Sequence, residues 1–464
     1  MPAVLVGLWL GLALLLVGLS ATSESVVRWR WPAAVAIAAV LAAALLLTWS
    51  GHAEPLSRWR GELVFDQLSA MILPPLWTGM AAALIASLFM PTGRFEPAIA
   101  ALSTASATAG ILSASPLLMV GLMQAGALII LGGLLVHDEG LAGHPLLNIA
   151  TSLKYVTLSV VSGACLLMAL LLADFYSVNP DRAALTRIVS ALFVVGFGLA
   201  VGAIPFYFHV PDIFDAAPTL ATASLAGPLH CLAFVYLIRS AANGPWLLAG
   251  GRISDVLVVG ALGGALVAAL MAFGQRRLTR LLAFNALREA GWVAFGLASV
   301  TRAGWAGALT VLAVRCISQP LLLITAKLAK VRHGEIEVDK LGGLARLLPL
   351  TAFAWCAGAF ACAGLPPTAS FWGLAALYRA AGFSGGLAAA ALLASVALAV
   401  WRLGYATYAM FWRPGPEPLD STPEPVGLGA LLAAVGFGLA FGGFIPRLLQ
   451  APVDQLLTGL PFLR

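Results

Sequence analysis

The chain has 464 residues, with hydrophobic side chains at 61% and charged ones at only 10%. A soluble domain carries about a quarter charged residues and roughly 45–50% apolar ones, so a water-soluble protein is excluded. The net charge of +6, from 26 Lys+Arg against 20 Asp+Glu, is scattered along the chain. Nucleic-acid binding needs basic residues clustered on one face, and that class is excluded too.

A transmembrane helix needs about 20 mostly apolar residues. The first candidate, near 2–20, has no basic n-region and no small-residue cleavage site, so it reads as a span rather than a signal peptide. Others follow near 32–49, 69–90, 97–113, 115–136, 152–173, 187–206, 219–240, 253–274, 281–300, 304–327, 349–382, 386–411 and 427–446. The expectation is an all-α polytopic membrane protein of about fourteen spans, in contact with the lipid bilayer. The polar stretch from Lys327 to Arg346, which includes Glu335, reads as a solvated connector. Arg413 to Glu424, with four prolines, reads as a rigid exposed turn.

The five cysteines, Cys165, Cys231, Cys316, Cys356 and Cys362, lie in apolar runs without a close CxxC or Cys/His pair. Neither a disulfide framework nor a metal site is expected. No flavin, iron–sulfur or quinone motif stands out, so no cofactor and no catalytic site of its own are expected. Loops after odd-numbered spans hold more Lys and Arg, chiefly Arg276, Arg277, Arg280 and the 327–346 connector. The expected orientation therefore has those loops in the cytoplasm and both termini outside.

Two spans are interrupted. The seventh runs into Ala203-Ile204-Pro205-Phe206, then Val210-Pro211-Asp212 and Ala217-Pro218. The twelfth holds Gly364-Leu365-Pro366-Pro367-Thr368 in mid-span. Proline removes a backbone donor and clashes with the preceding turn. Broken helices at membrane depth are tolerated where they are buried in protein or line a cavity. Breaks in corresponding places of two halves are the pattern of inverted-repeat transporters; unrelated proline kinks give the same pattern.

The stretch Gly202-Ala203-Ile204-Pro205-Phe206-Tyr207-Phe208-His209-Val210-Pro211-Asp212-Ile213-Phe214-Asp215-Ala216-Ala217-Pro218-Thr219 resembles the signature GAxPFHxWxPDxYxGAPT. That signature belongs to the antiporter-like membrane subunits of respiratory complex I, the proton-translocating NADH:quinone oxidoreductases. Ser152-Leu153-Lys154-Tyr155 is similar to the family's (A/S)-I-K-Y. Arg280 to Asn285 with Ala290-Gly291 is similar to KRLLAYSSIxHxG, and Gly364 to Phe371 is similar to GLPPTAGF. The wording looks closer to the subunit N-like branch than to the longer subunit L-like branch, whose C-terminal lateral helix has no counterpart here. The resemblance implies two inverted five-helix repeats, spans 4–8 within 97–240 and spans 9–13 within 253–411. The remaining segments are 1–96 (spans 1–3) and 412–464 (span 14 and tail). It also implies partners: other membrane subunits and peripheral redox or transport subunits, in a bacterial inner membrane.

In this family protons move along buried ionisable groups: a glutamate on helix 5, lysines on helices 7, 8 and 12, and polar residues on helices 10 and 11. Carried over position by position, the glutamate falls on Gln124, the helix-7 lysine on Ala200 and the helix-12 lysine on Leu374. The helix-8 lysine falls on His230, and the helix-11 His and Lys positions fall on Arg315 and Gln319. His230 suits a relay because its unperturbed pKa is near 6.5; a neutral histidine in a helix interface is the alternative. Lys154 either snorkels from a helix start or serves the channel. Arg288 and Glu289 diverge by about 100° on one helix, so each needs a partner elsewhere, and Arg315 is the one expected for Glu289. Asp212 and Asp215 are expected to cap the half-helix after the first break. Three readings stay open: a complex-I-type subunit with an altered proton path, a subunit of a related assembly (cation/proton antiporter, membrane-bound hydrogenase or inorganic-carbon uptake complex), and a scaffold that kept the fold without conducting.

Overall fold

The structure, a computed structural model, describes residues 1–22, 29–54, 63–135, 145–178, 183–203, 205–244, 246–249, 252–334, 337–414, 422–460 and 462–463. Glu335, Ile204 and the prolines at 416 and 418 lie outside them. Among the described residues the chain is helical, without strands. Its helices are α1 (Pro2–Thr22), α2 (Arg30–Ser50), α3 (Gln67–Leu88), α4 (Glu96–Leu112), α5 (Pro116–Leu135), α6 (Pro145–Val178), α7 (Ala183–Val201), α8 (His209–Ala216), α9 (Thr219–Ser224), α10 (His230–Asn243) and α11 (Trp246–Ala249). They continue as α12 (Arg252–Phe273), α13 (Leu278–Ala298), α14 (Arg302–His333), α15 (Pro349–Ala363), α16 (Ala369–Ser384), α17 (Gly386–Phe411), α18 (Val426–Phe441) and α19 (Arg447–Thr458).

Among the described residues, ten helices are long and apolar enough to cross a membrane. The expected spans 4, 7, 10 and 12 fall outside that criterion for visible reasons. α4 has 17 residues, α7 and α15 stop at the two breaks, and α13 carries Arg280, Arg288 and Glu289. The bundle has an inside and an outside. The apolar stretch of Thr219–Asn243 is 100% buried and that of Arg302–His333 is 94% buried, against 17% for Arg30–Ser50. α14 is the axial helix, packed by α3, α9, α13, α15, α16 and α19. A helix enclosed by protein on all sides is where polar groups can be held away from lipid.

The two breaks are built alike. α7 ends on Gly202 in the left-handed conformation (φ +67°) and α15 on Gly364 (φ +72°). The next residue's amide reaches back five positions in each case, Ala203 to Gly198 at 2.7 Å and Leu365 to Phe360 at 2.9 Å. The glycine amides bond Leu199 and Ala361, and the amides of Phe206 and Thr368 bond Ala203 and Leu365. This is the Schellman closure, which needs a residue that accepts positive φ. Pro205 and Pro366 then forbid the helix to resume. The expected interruptions in spans 7 and 12 are therefore present, with one backbone solution used twice.

At one end of the bundle the connectors after spans 9, 11 and 13 pair with each other. Val338 donates to Arg276, and Gly343, Leu344 and Ala345 donate to Arg413, Met410 and Phe411. At the other end a fully buried ion pair closes the bundle. Arg239 Nη2, near the end of α10, lies 2.9 Å from Asp66 Oδ2, and both side chains are 0% exposed. Arg239 also donates to the carbonyls of Ile111 and Ser113, where α4 ends. Asp66 is at the same time the N-cap of α3, accepting from the Ser69 amide at 2.9 Å. One charge pair thus fixes the ends of three helices. Breaking a buried pair by removing one partner strands the other charge, at a cost of about 3–5 kcal/mol. Asp66→Leu is expected to lower the thermal unfolding temperature in detergent sharply, and Asp66→Leu with Arg239→Met to recover most of the loss. A double variant no better than the single one would contradict the pair's role.

Candidate functional site

The helix that carries His230 is irregular immediately before it. Leu225–Leu229 is a π-helical turn containing Pro228, and the His230 amide bonds Gly227 and Leu225 rather than Ala226. The Ala226 carbonyl, left out of the helix ladder, accepts from Arg315 Nε at 3.3 Å. Arg315 Nη2 meets His230 Nδ1 at 2.8 Å, and Nη1 donates to the Ala286 carbonyl on α13. Single π turns inside α-helices recur at functional sites because they free backbone acceptors of this kind. A guanidinium only donates, so Nδ1 of His230 carries the lone pair and the proton of the neutral ring sits on Nε2. His230 and Arg315 are each 1% exposed.

One turn along α14, Gln319 Nε2 donates to Glu289 Oε2 on α13 at 2.6 Å. The ion pair expected between Glu289 and Arg315 is not formed. The donors of Arg315 are taken by His230 and two carbonyls, and the two charges act on each other only through space. Arg288 and Glu289 both approach the Cys362 thiol, with Arg288 Nη2 3.6 Å from its Sγ. The same Nη2 donates to the Cys362 carbonyl at 2.8 Å, and the Arg288 guanidinium lies 4.1 Å from the Trp292 ring centroid. Cys362 is four residues before Pro366, whose ring nitrogen has no hydrogen to give, so the second break creates the acceptor that Arg288 uses. Arg288 Nε and Nη1, Gln319 Oε1 and Ser318 Oγ are buried without a partner in the protein. Buried polar atoms of this kind are ordinarily satisfied by water.

The other half of the site is a small cavity of about 30 Å³, lined by Gln124, Tyr155, Ser159, Ser162, Ala200 and His209 with four apolar neighbours and Leu199. Gln124 accepts from Ser159 Oγ at 3.3 Å. Ala200 lines the same space, so Gln124 and Ala200, the two residues expected at the helix-5 and helix-7 positions, come together here. Leu374, at the helix-12 lysine position, packs against Gly364 under the second break. Pro205 and Pro211 flank the start of α8, and Pro218 is the N-cap of α9. Pro366 and Pro367 lie in the link to α16.

Lys154 does not lie at a helix start. It is nine residues into α6, 54% exposed, and pairs with Asp212 Oδ2 at 3.1 Å. Asp212 also meets Arg280 at 3.4 Å, and Asp215 meets Arg277 at 3.0 Å and Arg280 at 3.3 Å. The capping role expected of Asp212 and Asp215 is overturned. Neither α8 nor α9 has a side-chain cap, because both carboxylates are drawn to Arg277, the N-cap residue of α13, and Arg280 in its first turn. Sequence reasoning passed over His209, Lys327 and Glu96. Lys327 Nζ lies 3.6 Å from Glu96 Oε2, with both nearly buried. His209 is only 4% exposed. Its signal is available in the signature itself, where tryptophan holds the place that His209 takes here.

Residues 139–399 match the family described as NADH:quinone oxidoreductase/Mrp antiporter, TM. The match covers more than half of the chain, which belongs to that family. The chain is 27% identical over 454 residues to NADH-quinone oxidoreductase subunit N of Paramagnetospirillum magneticum, covering 91% of this chain and 89% of that one. It is 32% identical to subunit N of Erythrobacter litoralis over 244 residues, 49% of this chain and about half (50%) of the relative. Among solved structures it is similar to a chain of the Mrp complex from Dietzia sp. DQ12-45-1b, with TM-score 0.84, 18% identity and coverage of 99% and 97%. It is also similar to a chain of respiratory complex I from Thermus thermophilus with bound NADH, with TM-score 0.78, 20% identity and coverage of 98% and 100%. At these identities the structures establish the fold.

The through-space coupling of Glu289 to Arg315 is measurable. A double-mutant cycle of Glu289→Gln and Arg315→Gln, read by thermal unfolding, is expected to show a coupling of about 0.5–3 kcal/mol. Additive effects would mean that the two charges do not act on each other.

Proposed function

We propose that this integral membrane protein is the subunit N-like, antiporter-like subunit of a complex-I-type assembly and that it carries protons along an altered path. The observation that supports this reading most is the buried string His230, Arg315, Gln319 and Glu289, which crosses from α10 through axial α14 to α13. In a membrane interior, ionisable groups are expensive and mark ion routes when they are linked. Residues 97–240 and 253–411 act in this reading as two inverted repeats, joined at α14. Its neighbours are other membrane subunits, with peripheral redox subunits supplying the energy. It sits in a bacterial inner membrane with the basic connectors in the cytoplasm and both termini outside.

In this reading each residue has a part. Arg315 keeps its proton and acts as a fixed positive charge. Held by Arg315, His230 is an acceptor; it can take a proton at Nδ1 only when the guanidinium swings away, and Glu289 is the charge toward which it would swing. Proton uptake at His230 and the position of Arg315 are then two readouts of one equilibrium. Lys154 and Asp212 form the outer contact of the first half. The reading of the chain as a non-conducting scaffold is favoured by Gln124, Ala200 and Leu374, which cannot titrate.

Proton flux into vesicles holding the whole partner assembly decides between them. His230→Gln is expected to cut pumping about tenfold, the effect of about 1.4 kcal/mol on a barrier, while redox turnover and subunit composition persist. Unchanged pumping would leave the chain as a scaffold.

A further inference from the structure

The cavity between α5, α6 and α8 contains no acid and no lysine, yet it is polar and has room for water. Its volume of about 30 Å³ exceeds the roughly 10–15 Å³ that one water requires. The imidazole in its wall, a group able to bind and release a proton, is His209. We propose that His209, acting with water in this cavity, is the proton-exchanging link of the first half of the path. It would take over the work of a carboxylate–lysine pair that Gln124 and Ala200 cannot do. This inference rests on the proton-carrying reading given above.

The placement of His209 supports it from three sides. The ring is buried, and its Nδ1 lies 3.0 Å from the Phe206 carbonyl. A carbonyl only accepts, so Nδ1 bears the hydrogen and Nε2 is the free lone pair. On the outward side, Asp212 lies one turn further along α8 and is 28% exposed, held between Lys154 and Arg280. Tyr155 of α6 stacks on the ring with centroids 6.4 Å apart. On the inward side, Leu225 and Leu229 close the cavity at the π turn that leads into His230, and the two histidines are near enough to act on each other electrostatically. The charged and titratable groups facing His209 are thus Asp212 on its own helix, Lys154 and Tyr155 on α6, Arg280 on α13, and His230 with Arg315 behind it. A proton reaching Asp212 can pass to His209, from there to cavity water held by Gln124 and Ser159, and on toward His230. No covalent bond is made and each group returns to its starting state.

The test uses the whole assembly in vesicles, with proton flux and redox turnover read together. His209→Gln, which keeps a hydrogen-bonding side chain of similar reach, is expected to lower flux about tenfold with turnover retained. Gln124→Leu, which leaves His209 in place but makes the cavity apolar, is expected to do the same, and serves if His209→Gln does not assemble. Adding Gln124→Glu and Ala200→Lys to His209→Gln is expected to restore flux, an outcome that a merely structural histidine would not produce. If His230→Gln lowers flux while His209→Gln and Gln124→Leu leave it intact, the inference about His209 fails and the proton-carrying reading stands. If none of the variants changes flux, both fail.

Discussion

A guanidinium with 1% of its surface exposed sets the terms for the centre of this bundle. Arg315 cannot shed its proton, and an uncompensated charge at this depth would cost several kcal/mol or more. Each of its three nitrogens must therefore find an acceptor. The acceptors are His230 and two carbonyls from different helices, Ala226 before α10 and Ala286 on α13. One side chain thereby ties three helices together at the level where span 8 is irregular. The π turn reads as part of the same solution, because a regular α-helix would have consumed the Ala226 carbonyl.

The same logic explains the tenth and twelfth spans. Proline at 366 deprives the Cys362 carbonyl of its helical donor, and Arg288 supplies one from α13. In lipid the orphaned carbonyl would be a liability; inside the bundle it becomes an attachment point. The two arginines thus both hold carbonyls that helix irregularity has released. The breaks are then more than kinks. Gly202 and Gly364 close their helices with matching hydrogen bonds.

Much of this was legible in the sequence, and the limits have physical causes. The apolar runs gave the spans because a bilayer imposes length and polarity together. The breaks were legible because glycine and proline act locally. Pairing was less legible, since it depends on which faces meet. Glu289 was matched with Arg315 from spacing along the chain, but Gln319 lies nearer on the axial helix. Asp212 and Asp215 looked like caps from their positions, but Arg277 and Arg280 at the start of α13 meet them and offer charge where a cap offers a dipole. Asp66 and Arg239 were missed because they are 173 residues apart and neither belongs to a motif.

The absence of charge at Gln124 and Ala200 is easier to understand as one change than as two. A buried acid and lysine are tolerable together, and deleting both can be neutral or stabilising, whereas deleting one strands the other at about 3–5 kcal/mol. Loss of the pair leaves a polar cavity in which a glutamine and two serines can still organise water. That outcome differs from what Leu374 does at the second break, where an apolar side chain fills the space against Gly364. In the first half, Gln124 and Ala200 carry no charge and line a polar cavity with Ser159 and Ser162. The second half has Leu374 against Gly364 and carries its charges on α13 and α14. If protons cross this chain, the asymmetry puts His230, at the junction of the two halves, where each proton must change from one kind of carrier to the other.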